Sequence, residues 1–151
     1  MWLTVPMVAR PSNRQQCRTL IAMQIPDQLA GRHILLVEDE VLIGMEMIYE
    51  LETAGAFVTH VLTLEAALKA LDQPWSAAVL DINLRGREVY PVADRLQEMG
   101  VPFLFCSGHG SRLETSTRYP RSMLLAKPVD ETKLLASLAE LLAGSQDRTR
   151  I

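Results

Sequence analysis

From Arg32 onward the hydrophobic positions alternate between two periods. His33-Ile34-Leu35-Leu36-Val37 is an unbroken run rich in strand formers, as expected of a parallel strand buried on both faces. It stops at Glu38-Asp39-Glu40. Val41, Met45, Ile48, Leu51 and Ala54 then fall close to helical spacing, with Glu46, Glu50 and Glu52 supplying a wet side, so the pattern predicts a helix over 41–54 that Gly55 closes. A second strand is predicted over 57–61. Leu64, Ala67, Leu68 and Leu71 give one stripe to a second helix, which Pro74 terminates. The unit repeats: a strand over 77–80, a helix carrying Val89, Val92, Ala93 and Leu96, strands over 103–106 and 123–126, and a last helix carrying Leu134, Leu138 and Leu141. Between the last two strands, Gly108, Gly110, Pro120 and several Ser and Thr residues predict a short or irregular fourth helix.

Five strands separated by helices, joined by right-handed crossovers, imply an α/β fold: a doubly wound parallel sheet with helices on both faces. With the flavodoxin-like order 2-1-3-4-5, ligands are expected beyond the carboxyl ends of the strands, where the strand order reverses. Those ends carry Glu38 and Asp39, then Asp81, Ser107 and Lys127, while the second strand contributes nothing obvious. Singly, each has an ordinary explanation: acids before a helix, a turn aspartate, a strand-end hydroxyl, a solvated lysine. Jointly they bring three carboxylates to one switch point. Like charges about 4 Å apart repel by about 4 kcal/mol at an effective dielectric near 20. A cation is therefore expected among them, and Mg²⁺ suits an oxygen-only site that must leave coordination free for a phosphoryl oxygen. Lys127 adds a fixed positive charge.

Composition narrows the picture. The 151 residues, 48% hydrophobic and 22% charged, suffice for one ordinary domain. A net charge of −3 argues against nucleic-acid binding by bulk electrostatics. Cys17 and Cys106 are too few for a disulfide framework, and no apolar stretch approaches a membrane span or a signal core. A cytoplasmic setting without membrane contact is expected. Residues 1–30 carry Arg10, Arg14 and Arg18 among Pro6, Pro11 and Pro26, with no acid before Asp27; one reading is a short basic arm for a partner or membrane surface, and the favoured one is a disordered extension. The folded domain is expected over 31–143, with a tail over 144–151. His33, His60 and His109 form no metal-ligand spacing.

Four motifs stand in order, each at a predicted strand end: the acidic pair in Leu36-Val37-Glu38-Asp39-Glu40, Leu80-Asp81-Ile82-Asn83, Ser107-Gly108 and Lys127-Pro128. Together they resemble the receiver domain of response regulators, over roughly residues 32–143. The resemblance implies that Asp81 is the phosphoacceptor, that Asp39 ligates Mg²⁺ directly and Glu38 mainly through water, and that Asn83 offers its backbone carbonyl. Ser107 and Lys127 would bind phosphoryl oxygens, and Mn²⁺ would be able to replace Mg²⁺. The implied partners are a sensor histidine kinase or a histidine phosphotransfer protein and a downstream protein target. No direct DNA contact is expected, and the expected state is a monomer or weak dimer.

Such a protein phosphorylates and dephosphorylates itself without turning over a separate substrate, so it is not expected to be an enzyme. A finer resemblance lies in Asn83-Leu84-Arg85-Gly86, Val89-Tyr90-Pro91-Val92-Ala93-Asp94 and Val101-Pro102-Phe103-Leu104-Phe105-Cys106-Ser107-Gly108-His109. These are similar to a stand-alone receiver subgroup of alphaproteobacteria whose fourth strand ends in Phe-Ala-Thr-Gly-aromatic; here Ser107 keeps the hydroxyl and His109 replaces the aromatic. Leu124 stands where many receivers carry a switch Tyr or Phe. Two other readings remain at this stage. One is a phosphorylation-independent interaction module with the same fold. The other is a metal-dependent phosphatase, which would need an Asp-x-Asp pair after its first strand that this chain lacks.

Overall fold

A computed structural model describes residues 29–108 and 112–146. The expected extension before residue 29, His109, and the tail beyond 146 lie outside the described residues.

The predicted alternation is the observed one. Strands β1 (His33–Val37), β2 (Phe57–Val61) and β3 (Ala77–Asp81) are separated by helices α1 (Val41–Thr53) and α2 (Leu64–Ala70). A two-stranded hairpin, β4 (Asn83–Leu84) and β5 (Arg87–Glu88), intervenes before α3 (Tyr90–Glu98). Then come β6 (Phe103–Ser107), α4 (Arg112–Arg118), β7 (Met123–Ala126) and α5 (Glu131–Gln146). The large sheet is parallel with order β2-β1-β3-β6-β7, which is the expected 2-1-3-4-5 when the hairpin is set aside. α4 is short, at seven residues.

Strand alternation explains why the central runs are apolar throughout. Leu35, Val37, Ala78, Leu80, Phe103 and Phe105 enter one core with residues of α2 and α3. Their neighbours Ile34, Leu36, Ala77, Val79, Leu104 and Cys106 enter a second core with residues of α1 and α5. Each strand thus buries both faces, and each fully buried Leu or Ile contributes about 1.5–3 kcal/mol relative to exposure. Thr63 caps α2, its hydroxyl accepting from the Ala66 N–H at 3.1 Å. Gly55 ends α1 in the left-handed region (φ 89°), where a β-carbon would be strained.

Two boundaries and one helix face differ from the sequence reading. Leu29 is fully buried in the α1/α5 core, and α5 runs through Gln146, so the fold extends beyond the expected 31–143 at both ends. On α1 the buried residues are Gly44, Met47 and Leu51, with Ala54 just after it. Val41 and Met45, expected inside, are 50% and 59% exposed. The helix is turned so that Gly44 faces β2, where the His60 ring packs directly on it.

That contact gives a prediction with a reversible sign. A β-carbon at Gly44 would fall on the His60 ring, whose Nε2–H donates to the Glu38 carbonyl at 2.8 Å. In an exposed helix Gly→Ala stabilises by about 1 kcal/mol; here Gly44→Ala is expected to destabilise by about 1–2 kcal/mol through overpacking. In a His60→Ala background the same substitution should become stabilising. Urea unfolding of the four proteins measures both.

Candidate functional site

The site is assembled by register. Val37 lies opposite Leu80, Asp81 opposite Cys106, and Ser107 opposite Ala126. Glu38 and Asp81 therefore leave adjacent strands at the same height, with Ser107 one residue and Lys127 two residues beyond them on the next two strands. Asp39 and Asp81 line a pocket of roughly 610 Å³ together with Glu40, Asn83, Arg85, Ser107 and Lys127.

Glu38, Asp39 and Asp81 each bring a carboxylate oxygen within 4.8 Å of the others. Glu38 is 1% exposed and Asp81 6%, so these charges are held against a low-dielectric floor. Lys127 bridges them, its ammonium donating to Glu38 Oε2 at 2.9 Å and to Asp81 Oδ2 at 3.0 Å. The other Glu38 oxygen accepts from the Glu40 N–H at 3.1 Å, and Asp81 Oδ1 accepts from the Asn83 N–H at 3.3 Å. The peptide between Lys127 and Pro128 is cis.

Burial pushes the Asp81 carboxyl up from 3.8 to about 6, against the hydrogen bond from Lys127 and helped by the neighbouring Glu38 charge. Burial works against the Lys127 ammonium as well, yet its hydrogen bonds to Glu38 and Asp81 outweigh that and hold its pKa above the ordinary value. The Cys106 thiol, buried beside the site, is pushed up to about 12 by desolvation first, so it packs as a neutral small hydrophobe.

Three carboxylates against one lysine leave a surplus of negative charge. Arg85 offsets it weakly, from a 72% exposed position with its Nε 3.9 Å from Asp39 Oδ2. An oxygen donor set with unneutralised charge fits a hard divalent cation, and the cluster is able to hold one.

All the residues singled out in the sequence gather here, but not in equivalent ways. Asp39, Asp81, Asn83, Ser107 and Lys127 line the pocket, whereas Glu38 lies beneath it with both oxygens engaged. Two contributors were not assigned to the site from the sequence. His60, from the strand thought to contribute nothing, holds the Glu38 backbone; its place opposite Leu36 is set by the β1–β2 pairing and leaves no local trace in the sequence. Arg85 sits on the hairpin turn; the sequence reading named it within Asn83-Leu84-Arg85-Gly86 but gave it no role.

Position 124, where an aromatic was looked for, holds a partly buried leucine packed against the α2/α3 core. A buried aromatic in that core is instead Tyr119, just after α4. It makes ring contacts with Tyr90, Phe103 and Phe105, and its hydroxyl donates to Asp94 Oδ1 at 2.7 Å.

No protein-family model matches the chain, and no curated protein matches it at a significant level. Solved structures do match. A response regulator receiver protein from Sinorhizobium medicae WSM419 superposes with a TM-score of 0.70 at 27% identity, covering 76% of this chain and 97% of that one. A CheY-like response regulator receiver domain protein from Methanospirillum hungatei JF-1 gives a TM-score of 0.72 at 21% identity, covering 79% and 99%. A BeF3-activated DrrB receiver domain gives 0.66 at 20% identity, covering 75% and 98%. Each neighbour is matched over nearly its whole length. This chain has the fold of the response regulator receiver domains.

Proposed function

We propose that this chain is a phosphoacceptor receiver, taking a phosphoryl group on Asp81 from the phosphohistidine of a sensor kinase or phosphotransfer protein in the cytoplasm. The observation that carries this reading is the single lysine bridging two buried carboxylates, Glu38 and Asp81, beside a third, Asp39. No purely structural requirement of the fold calls for so much buried acid at one point.

In the proposed reaction the Asp81 carboxylate attacks phosphorus in line. The new P–O bond forms as the donor's P–N bond breaks, and the electron pair leaves with the imidazole, which carries a proton. At neutral pH Asp81 is ionised, since its pKa lies at about 6. Asp39 and Asp81, with Glu38 behind them and the Asn83 carbonyl, would hold Mg²⁺ or Mn²⁺; when bound, the ion supplies neutralisation of the phosphoryl oxygens. Lys127 and Ser107 orient those oxygens. The transfer adds about one negative charge at Asp81, which gives Lys127 and the Ser107 hydroxyl a target on the far side of the pocket. This stoichiometric self-modification makes the protein a signalling component rather than a turnover enzyme, acting on a downstream protein and not on DNA.

Incubation with a small phosphodonor and Mg²⁺, followed by intact mass measurement, tests the proposal. A hydroxylamine-labile phosphate adduct is expected on the wild type and none on Asp81→Asn. A wild type that stays unmodified while a control receiver reacts would overturn it. If Asp81→Asn also left partner binding unchanged, the fold would be serving as a phosphorylation-independent interaction module.

A further inference from the structure

The β4–β5 hairpin carries a charge on a strained turn. Its two central residues, Arg85 (φ 53°) and Gly86 (φ 83°), are both left-handed. Asparagine, aspartate or glycine is usual at the first of these positions, and an arginine there is strained. The turn is nonetheless fixed: Asn83 Oδ1 accepts from the Gly86 N–H at 2.7 Å, and the Val89 N–H donates to the Ile82 carbonyl at 2.9 Å. The two arginines of the hairpin have different partners. Arg87 pairs with Glu65 of α2, away from the acid pocket. Arg85 stands on the pocket wall with its Nε 3.9 Å from Asp39 Oδ2. A strained residue held in a rigid frame at a charged pocket points to a role in that pocket.

We propose that Arg85 competes with the divalent cation for Asp39 and so sets how tightly the pocket holds that ion, an inference that rests on the cation-binding reading above. Asp39 has no lysine of its own, because Lys127 is engaged by Glu38 and Asp81. The guanidinium and the ion therefore address one carboxylate. A unit charge about 6 Å from a dication in a water-like dielectric weakens its binding about tenfold, and physiological salt reduces this to about threefold. Arg85 is thus a positioning residue that keeps the cation exchangeable, and cation binding frees its guanidinium toward the pocket mouth.

Mn²⁺ titration of the full chain, followed by the spectroscopic signal of the free ion, tests this without any phosphoryl transfer. Wild type, Arg85→Gln and Arg87→Gln are compared at low and high salt, the last being a control that removes the same charge from the same hairpin. Arg85→Gln is expected to bind Mn²⁺ about three- to tenfold more tightly at low salt, with the gap narrowing at high salt. Arg87→Gln should stay within about twofold of wild type. Equal shifts in the two variants, or unchanged or weaker binding by Arg85→Gln, would overturn the inference while leaving the cation site standing. Failure of all three proteins to bind Mn²⁺ would overturn the cation-binding reading and the inference together.

Discussion

Replacing Lys127 with methionine is expected to remove about 3–5 kcal/mol of folding stability at neutral pH. The side chain is of similar length, so the loss is of charge rather than packing. Lys127 is the hydrogen-bonded cation shared by Glu38 and Asp81, which are 1% and 6% exposed. Without it two buried carboxylates face each other and a third, and the loss is a large share of the 5–15 kcal/mol typical of a domain. Urea unfolding at neutral pH measures this, and a loss below about 1 kcal/mol would show that the bridge is not buried in the way described.

Two companion variants separate the contributions. Asp81→Asn should stabilise the fold at neutral pH, by about 1–3 kcal/mol, because the folded-state pKa of Asp81 is about 6 against 3.8 for the free group. A carboxyl raised on folding opposes the fold once ionised. That opposition is absent below about pH 3.8, grows as pH rises toward 6, and is complete above it. The advantage of Asp81→Asn should therefore vanish in acid. In the Asp81→Asn background Lys127→Met should do less damage, since Glu38 alone loses its partner.

The legibility of the fold and of the site had different sources. β1, β3 and β6 could be read from the sequence because burial on both faces leaves no polar interruption in runs such as Ile34-Leu35-Leu36-Val37. The strand ends then fell together by topology alone, which is why Glu38, Asp39, Asp81, Ser107 and Lys127 could be assembled without knowledge of any side chain. The α1 face was misread because two overlapping sets of apolar positions fit a period of 3.6. The choice between Val41 with Met45 and Gly44 with Met47 is made by what lies opposite, the His60 ring, and that is tertiary information. The β4–β5 hairpin, with strands of two residues, is too short to leave any periodicity. The bridging of Glu38 by Lys127, 89 residues apart, depends on side-chain reach across β3 and β6 and has no local trace.

Truncating Tyr119 to alanine is expected to remove about 3–5 kcal/mol, as large aromatic deletions in cores do. The ring is 1% exposed and lies 5.2 Å from Phe105, 5.7 Å from Phe103 and 5.9 Å from Tyr90, centroid to centroid. Its hydroxyl donates to Asp94 of α3, the carboxylate that Arg118 of α4 also engages at 2.8 Å, and the Arg118 guanidinium lies 5.2 Å from the Tyr90 ring centre and 5.4 Å from that of Tyr119. The phenol is pushed above its ordinary pKa by burial first and by Asp94 second, so it remains a donor throughout the neutral range. Tyr119→Phe keeps the ring and loses the hydroxyl's short bond to Asp94 and its longer, 3.4 Å contact with the Tyr90 carbonyl. Because Asp94 retains Arg118 and is not left buried without a partner, the expected loss is about 1 kcal/mol.

The difference between the two variants decides where α4 is anchored. α4 is short, with Thr115 its buried residue, and a helix of seven residues has little stability of its own. Its attachment to α3 runs through Tyr119 and Arg118, with Glu114 of α4 also hydrogen-bonding Tyr90. Amide hydrogen exchange should show α4 losing protection in Tyr119→Ala well before β1 and β3 do, and near-normal protection in Tyr119→Phe. If Tyr119→Ala instead left exchange in α4 unchanged, the aromatic cluster would be a filler of the core and not the hold on this helix.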